Sequence, residues 1–343
     1  MTARRAVLGL LAAAATTVAA APPPQRAGNR NQNSARIDLA AARGSLLLAA
    51  DQASERVLIL DTDDSSWLGR GRPARRSAAR AALWSWSPAD DSRLHDLAPQ
   101  HGWHNVSEAK HRVLNGQEWL LTCTSAGMAA LVSYPQGRAH WATVISGANL
   151  HSMEILPDGN VAVVASAGGF VRVYTASQGS RSTRHYQFSL PGAHGVQWDD
   201  VRRRLWVLGQ HQLLALRVGG TAAHPRLTAT HIVDLPEQGG HDLATVEGNP
   251  DRLWVTTGGR VRQYSIPDDA FVPYVGQQGI DRSGVKSVGD SPVTGQVLTV
   301  TPDAANPCTW CTSVITFHLP DGRQDLAGTS LYKARWMPRP DTQ

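Results

Sequence analysis

The chain is poor in cysteine, with only Cys123, Cys308 and Cys311 in 343 residues. Three thiols cannot staple a chain of this length, so the sequence excludes the disulfide-rich class of small secreted domains. The pair in CTWC, Cys308 and Cys311, lacks the βαβ context of a thioredoxin-like redox motif and the second cysteine pair of a structural zinc site. We therefore expect a local disulfide or two neighbouring strand thiols there.

Long apolar runs are also missing beyond the N-terminus, so we expect no membrane-spanning segment. The opening MTARRAVLGLLAAAATTVAAA combines Arg4 and Arg5 with a short apolar run and small residues that suit a signal-peptidase cut. This pattern predicts a secreted, extracellular protein. The predicted segments are a signal peptide over 1–21, a flexible leader over 22–43, a single propeller domain over 44–338 and a tail over 339–343.

Familiar catalytic signatures are absent as well. The chain has no Gly-x-Ser-x-Gly elbow, no P-loop and no glycine fingerprint of a dinucleotide site. The net charge of +5 comes partly from the run GRGRPARRSAARAALW, which we interpret as a solvated loop. Because no basic and aromatic residues interleave as in a known nucleic-acid module, nucleic acid is not an expected partner.

Short β-branched or aromatic runs make up most of the remaining sequence. Runs such as RVLILD, NVAVVAS and RLWVLG alternate with Gly, Pro, Asp and Asn, and helical periodicity is nearly absent. This alternation predicts an all-β chain of many short strands with regular turns.

One layout repeats along the chain: a titratable residue, a short strand, a turn and a strongly apolar strand. The first residues of five such units, Glu108, His151, His194, His241 and Lys286, are spaced 43, 43, 47 and 45 residues apart. The apolar strands follow a second register with spacings of 42, 44, 48 and 44 residues. This period is typical of four-stranded propeller blades. We predict a six-bladed β-propeller, with a seven-bladed ring as the alternative.

The sixth unit is split between the two ends of the chain. LYKARWMP, which carries Lys333, supplies its first strand, and GSLLLAADQ and RVLILD supply the next two. Joining both ends in one blade closes the ring and removes exposed sheet edges. A seventh blade would have to come from residues 62–104, which have few strand-like runs.

The first residues of the innermost strands of a propeller lie at one mouth of its central channel. We therefore expect six titratable side chains to converge there, namely Glu108, His151, His194, His241, Lys286 and Lys333. Crowded imidazoles and ammoniums repel when charged, so this composition favours a channel that receives a neutralising ligand over a merely solvated axis.

One chemistry open to this ring is metal binding. His151, His194 and His241 come from consecutive blades and could share one divalent ion through neutral imidazoles. Glu154 or Asp242 would then supply a nearby carboxylate.

Two further chemistries use the cations of the ring. Lys286 and Lys333, with Lys110 and Arg335 behind them and Glu108 beside them, could hold a substrate carboxylate while one of the histidines removes the adjacent proton. That combination is what β-elimination of uronates requires. Alternatively, the same cations bind an anionic sugar, a phosphate or a protein partner without turnover.

Three tryptophans flank the first complete blade. Trp84, Trp86 and Trp103 could form a wall on which sugars stack, or they could pack between blades. We prefer the packing interpretation.

Six sequence blocks occur in a characteristic order: NVSEAKHR, GANLHSMEILPDGNVAVVAS, PGAHGVQWD, GGHDL, GVKSV and YKARW. Over about residues 45–338 they resemble a family of secreted actinobacterial proteins known as domain of unknown function 6528. The resemblance implies a secreted propeller and supplies no reaction. A fainter likeness, at the level of the fold, is to propeller polysaccharide lyases.

Taken together, these patterns predict a monomeric, secreted, carbohydrate-active protein with a channel lined by His and Lys. The favoured hypothesis is a lyase that acts on uronate-containing glycans. The alternative is a non-catalytic propeller that binds an anionic ligand.

Overall fold

The computed structural model describes residues 45–62, 78–326 and 328–338. The predicted signal peptide, leader and tail, and residues 63–77, which include 69–77 of the basic run, lie outside these ranges. Arg80, at the end of that run, is exposed. No helix in the described ranges has the length and apolarity needed to cross a bilayer.

The strands of the described ranges form six four-stranded antiparallel sheets, the blades of a six-bladed β-propeller. From the axis outward, blade 1 contains β24 (Leu331–Met337), β1 (Leu46–Asp51), β2 (Arg56–Asp61) and β3 (Trp84–Trp86). Blade 2 contains β4 (Val106–Leu114), β5 (Gln117–Thr124), β6 (Met128–Ser133) and β7 (Arg138–Val144). Blade 3 contains β8 (Leu150–Ile155), β9 (Val161–Ala165), β10 (Phe170–Tyr174) and β11 (His185–Ser189).

The remaining three blades repeat this order. Blade 4 contains β12 (Gly195–Asp199), β13 (Arg204–Leu208), β14 (Gln212–Thr221) and β15 (His224–Asp234). Blade 5 contains β16 (Asp242–Val246), β17 (Asn249–Thr256), β18 (Val261–Ser265) and β19 (Ala270–Val272). Blade 6 contains β20 (Ser287–Asp290), β21 (Val297–Val300), β22 (Val314–His318) and β23 (Gly322–Asp325). Helical turns are confined to connections: α-helical at Ala78–Ala81, Pro99–Gly102 and Gln277–Ile280, and 3₁₀ at Pro88–Asp90, Ser92–Leu97 and Ala176–Gln178.

Blade 1 closes the ring as predicted. The C-terminal strand β24 pairs with the N-terminal strand β1, with Met337 opposite Leu46 and Lys333 opposite Ala50. In the described part of residues 62–104, the only strand is β3, and it becomes the outer strand of blade 1. The prediction of six blades is confirmed, and the seven-bladed alternative is wrong.

The core is divided into six apolar clusters, one at each interface between neighbouring blades. At the interface of blades 2 and 3, for example, Leu121 and Cys123 pack with Met153 and Val163. Because a blade buries both faces against its neighbours, burial of apolar surface stabilises the ring as a whole.

The three tryptophans considered for sugar stacking belong to this packing. Trp84 and Trp86 of blade 1 donate their indole N–H groups to the carbonyls of Pro135 and Gly137 in blade 2, each at 2.9 Å. Trp103 is only 4% exposed. The packing interpretation is confirmed.

Candidate functional site

A left-handed turn delivers the chain to the axis at the start of most innermost strands. In five blades a residue with positive φ lies one residue (blades 2 and 3) or three residues (blades 4, 5 and 6) before the inner strand, and these residues are Asn105, Asn149, Gly192, Gly239 and Gly284. Glycine adopts this conformation without strain and asparagine tolerates it. The residue two positions later therefore enters the channel at a common end, which we call the upper mouth.

The residues placed in this way, together with the equivalent residue of blade 1, form what we call the upper ring. Its members are Ser107, His151, His194, His241, Lys286 and Tyr332. Three of the inner strands contain a β-bulge at their ring residue, at Ser107, His151 and Tyr332.

The bulges shift the register that the sequence spacing suggested. Glu108 and Lys333 pair with Cys123 and Ala50 beyond the bulge, so they lie one residue deeper in the channel than the three histidines. Their predicted equivalence to His151 is therefore wrong by one position. Ser107 and Tyr332, which sequence reasoning missed, occupy the ring itself.

The aromatic members of the upper ring contact one another around the ring, in the order Tyr332, His151, His194 and His241. The rings of His151 and His194 stack with centroids 4.1 Å apart and planes inclined by 18°. His194 and His241 meet edge to face at 5.0 Å, and the Tyr332 hydroxyl lies 3.1 Å from Nδ1 of His151. Stacked imidazoles cannot direct their in-plane lone pairs at one ion. Consistent with this, no three His, Cys, Asp or Glu side chains of the described residues are grouped to hold a metal ion.

Hydrogen bonds fix the positions of the imidazole protons. Lys286 Nζ lies 3.1 Å from Nε2 of His241, and since an ammonium only donates, Nε2 accepts and the proton sits on Nδ1. That Nδ1 is buried without a partner among the described residues. In His194, Nδ1 donates to the carbonyl of Gly192 at 2.8 Å, which leaves the lone pair on Nε2.

The histidines of the upper ring are neutral at pH 7. Burial lowers the pKa of His194 to about 4. Burial and the charge of Lys286 lower the pKa of His241 to about 3. Burial also holds the pKa of His151 well below its usual range. The ring therefore presents imidazole N–H donors and lone-pair acceptors rather than imidazolium charge.

Below the ring lies a buried ion layer, which we define as Glu108, Lys110, Glu154, Asp242, Lys333 and Arg335. Arg335 Nε lies 2.9 Å from Glu108 Oε1, and Arg335 Nη2 lies 2.7 Å from Asp242 Oδ1. Lys333 Nζ lies 3.3 Å from Glu108 and 3.0 Å from Asp242. Burial alone would raise the pKa of Glu108, but the charges of Arg335, Lys333 and Lys110 hold it well below its usual range.

Lys110 and Arg112 complete the charge pairing on the side of blade 2. Lys110 Nζ lies 3.8 Å from Glu108 and 3.9 Å from Glu154, and it donates to the carbonyl of Val196. Arg112 holds Glu154 through two hydrogen bonds of 2.9 and 2.7 Å. Burial lowers the pKa of Lys110 to about 8. The sequence-predicted cations Lys110, Lys333 and Arg335 therefore already neutralise carboxylates of the protein.

Lys286 is the exception among the channel cations. It lies half-buried in the upper ring, and no carboxylate of the described residues comes within 4.0 Å of it. Burial and the charge of Lys333 lower its pKa. An anion at the upper mouth would supply the missing counter-charge.

The choice of lysine over arginine also distinguishes the channel residues, and the spacing argument did not use it. Lys110, Lys286 and Lys333 are the only lysines of the chain, in which Lys and Arg together number 33. All three belong to the channel, and the other 30 residues of the Lys and Arg total are arginines. The positions of these rare lysines could therefore have identified the channel strands from the sequence alone.

The opposite end of the channel, the lower mouth, opens into a cavity of about 130 Å³. Arg112, Gln197 and Arg335 line it together with Glu247 and Asp290. Burial raises the pKa of both Glu247 and Asp290. Arg112 and Arg335 are paired with Glu154, Glu108 and Asp242, so neither of these two lining cations is free.

A loop of blade 6, residues 301–313, rises beside the upper mouth. It begins directly after Val300, whose carbonyl accepts a 2.8 Å hydrogen bond from the Lys286 backbone. Cys308 and Cys311 form a disulfide within it, as one of the sequence interpretations expected. Between them, Trp310 is 47% exposed, a feature that sequence reasoning missed.

Several solved structures are similar to this chain at low sequence identity. One is a protein of unknown function from Bacteroides caccae (12% identity, 77% of this chain and 85% of that chain, TM-score 0.49). Others are the dihydro-heme d1 dehydrogenase NirN (14%, 80% and 51%, TM-score 0.44) and Sqt1 of Saccharomyces cerevisiae (13%, 69% and 60%, TM-score 0.40). This chain thus spans about half the length of NirN. None of the curated proteins matches it.

A protein family does match. Its sequence model aligns with residues 70–341, which include the upper ring, the ion layer and the 301–313 loop. The chain therefore belongs to the family described as Family of unknown function (DUF6528).

Proposed function

We propose that the protein binds a small organic anion at the upper mouth of its channel, through Lys286 and the neutral imidazoles around it. The observation that carries this proposal is the difference among the channel cations. Lys110, Lys333 and Arg335 each have a carboxylate within 4.0 Å, and Lys286 has none among the described residues.

The energetics favour a ligand at this position. An ammonium withdrawn from water without a counter-charge is destabilising, and a bound anion offsets that cost. The Nδ1–H of His241 is a buried donor without a partner, and leaving such a donor unsatisfied costs about 1–3 kcal/mol. One oxyanion that accepts from both groups would form charge-assisted hydrogen bonds, which are stronger than neutral ones.

Binding without turnover is better supported than elimination. A general base works best when its pKa lies near the working pH, and the pKa values of His194 and His241 are about 4 and about 3. Lys333 and Arg335, expected to grip a substrate acid, are held by Glu108 and Asp242 instead. The description of the family names no reaction. Export of the protein stays a prediction from residues 1–21.

Titration of the purified protein with acetate and with inorganic phosphate, followed by calorimetry and by the imidazole NMR signals, tests the proposal. We expect Lys286→Met to weaken binding by about tenfold or more, because a hydrogen bond to a charged group contributes about 1.5–3 kcal/mol. Arg217→Met is the matched control, since it removes the same charge from an exposed position on β14.

Two results would contradict the proposal. One is an unchanged affinity in the Lys286 variant. The other is an equal loss in the Lys286 and Arg217 variants, which would show that only the overall charge of the protein matters.

A further inference from the structure

We propose that the anion bound at the upper mouth is an acidic saccharide, with its acid group at Lys286 and a sugar ring packed on Trp310. This inference rests on the proposed function and specifies its ligand. It depends on three features of the upper face: an exposed indole, a set of unpaired polar atoms, and a cavity beside the same loop.

Trp310 is the only exposed tryptophan among those that the structure describes. Its indole Nε1–H donates to Oε1 of Gln52 at 3.0 Å, and Gln52 Nε2 donates to the carbonyl of Val106 at 3.2 Å. Val106 directly precedes Ser107 of the upper ring. Two hydrogen bonds therefore tether the indole to the rim of the channel.

The loop that carries Trp310 is also held from its other side. The Cys308–Cys311 disulfide brackets the tryptophan, and the loop begins directly after Val300, which is hydrogen-bonded to the Lys286 backbone. Holding a large aromatic side chain in place while it is half exposed gains little from folding alone. A flat apolar face with a polar edge suits the apolar face of a pyranose ring.

The unpaired polar atoms of the upper ring favour a ligand that has hydroxyl groups in addition to an acid. Nε2 of His194 carries a lone pair with no partner among the described residues, and a hydroxyl would donate to it. Lys286 and the Nδ1–H of His241 provide donors for a carboxylate, sulfate or phosphate oxygen. A plain acid would use the donors and leave the acceptor empty, whereas a polyhydroxy acid uses both.

Space for further sugar units lies along the same loop. A cavity of about 460 Å³ is lined by Asn306, Ser330, Arg323 and Asp325, among others. Its volume lies within the range of about 300–1,000 Å³ that ligand pockets occupy. Its lining of amide, hydroxyl and charged groups is suited to hydrogen bonding with a glycan.

Calorimetric titrations with D-glucuronate, D-glucose and acetate test the inference on the wild type, Trp310→Ala, Trp310→Phe and Lys286→Met. We expect glucuronate to bind the wild type more tightly than either acetate or glucose. Trp310→Ala should weaken glucuronate by roughly threefold to tenfold and leave acetate unchanged, since an aromatic contact contributes about 0.5–1.5 kcal/mol. Trp310→Phe, which keeps an aromatic face, should lose less affinity for glucuronate than Trp310→Ala.

The outcomes separate this inference from the function on which it rests. If Lys286→Met abolishes binding of both anions while Trp310→Ala changes neither, the saccharide inference is wrong and anion binding stands. An equal loss of affinity for acetate and glucuronate in Trp310→Ala also overturns it. The loop would then act by positioning the upper ring and not by contacting the sugar. If acetate and glucuronate both fail to bind the wild type, the proposed function itself is wrong. Thermal unfolding of each variant confirms that the fold is kept.

Discussion

Arg335 of β24 donates to Asp242 of β16 at 2.7 Å and to Glu108 of β4 at 2.9 Å, so one guanidinium connects three blades across the channel. Burial would lower the pKa of Arg335, but the two carboxylates raise it. The planar fork of arginine suits such a double contact better than the point charge of lysine. We interpret the ion layer as part of the ring closure, and the upper ring as the part available to a ligand.

Replacing Glu108 with Gln should destabilise the fold. Glu108 is fully buried and neutralises Arg335 and Lys333, so its loss leaves uncompensated charge in the channel. Breaking a buried ion pair from one side costs about 3–5 kcal/mol, and we expect a decrease of that size in the free energy of unfolding. Chemical denaturation measures it.

Lys286→Met is the matched comparison for this experiment. It also removes one charge from the channel, but no described carboxylate loses a partner, so the free energy of unfolding should stay the same or increase. Equal destabilisation by the two variants would show that the ion layer and the upper ring have the same structural role.

Amine-specific labelling should separate the three lysines. In the native protein acetic anhydride should modify Lys286, which is half-buried and has a lowered pKa, before Lys110 or Lys333, which are each 1% exposed. Peptide mass spectrometry after denaturation measures the extent of reaction at each position. Phosphate or acetate should slow the modification of Lys286. Lys110 is the internal control, because burial lowers its pKa to about 8 but only 1% of the residue is exposed. Rapid native labelling of Lys110 would be evidence against the burial of the ion layer.

The protein should lose stability as the pH falls from about 7 to about 4. The histidines of the unfolded chain titrate near 6.5, but His194 and His241 titrate at about 4 and about 3 in the folded state. In this window the unfolded state binds more protons, so the free energy of unfolding decreases with falling pH, by at most about 1.4 kcal/mol per pH unit for each histidine. Denaturant titrations at several pH values measure the slope.

The double variant His194→Asn, His241→Gln is designed to remove only the titration. Asn can donate to Gly192 as Nδ1 of His194 does, and Gln can accept from Lys286 as Nε2 of His241 does. We expect a flatter dependence between pH 6.5 and 4.5. The same slope as in the wild type would place the acid sensitivity elsewhere.

Incubation with uronate polymers should release no unsaturated product. The reason is the low basicity of the upper-ring histidines together with the internal pairing of Lys333 and Arg335. Absorbance of the unsaturated product, followed with and without added divalent metal, measures the reaction. Product formation that disappears in a His194→Asn variant would instead establish the lyase hypothesis.

Much of the fold was predictable because the sequence shows both the alternation of short strands and turns and the repeat of whole blades. The alternating runs give the strands, and the two registers advancing together give the blades. The split blade followed from the need to pair two sheet edges, and the pairing of Lys333 with Ala50 confirms it. The three tryptophans were correctly interpreted as packing residues.

The exact membership of the upper ring was not predictable from spacing. A bulge adds one residue without changing the hydrophobic pattern that follows, so Glu108 took the place of Ser107 in the alignment. The left-handed residue two positions upstream, such as Asn149 before His151 or Gly239 before His241, marks the ring without this error. Which cations are paired could not be inferred at all, because pairing across the channel joins residues such as Asp242 and Arg335 that are far apart in sequence.

The confinement of the three lysines to the channel has a practical consequence for proteolysis. An endoproteinase that cuts only after lysine has no target on the outer strands or the surface loops of this chain. Every one of its sites lies on or next to an innermost strand. Its first cut would therefore require the separation of blades and not merely the exposure of a loop. The rate of that cut would then measure the rate at which the ring of blades opens.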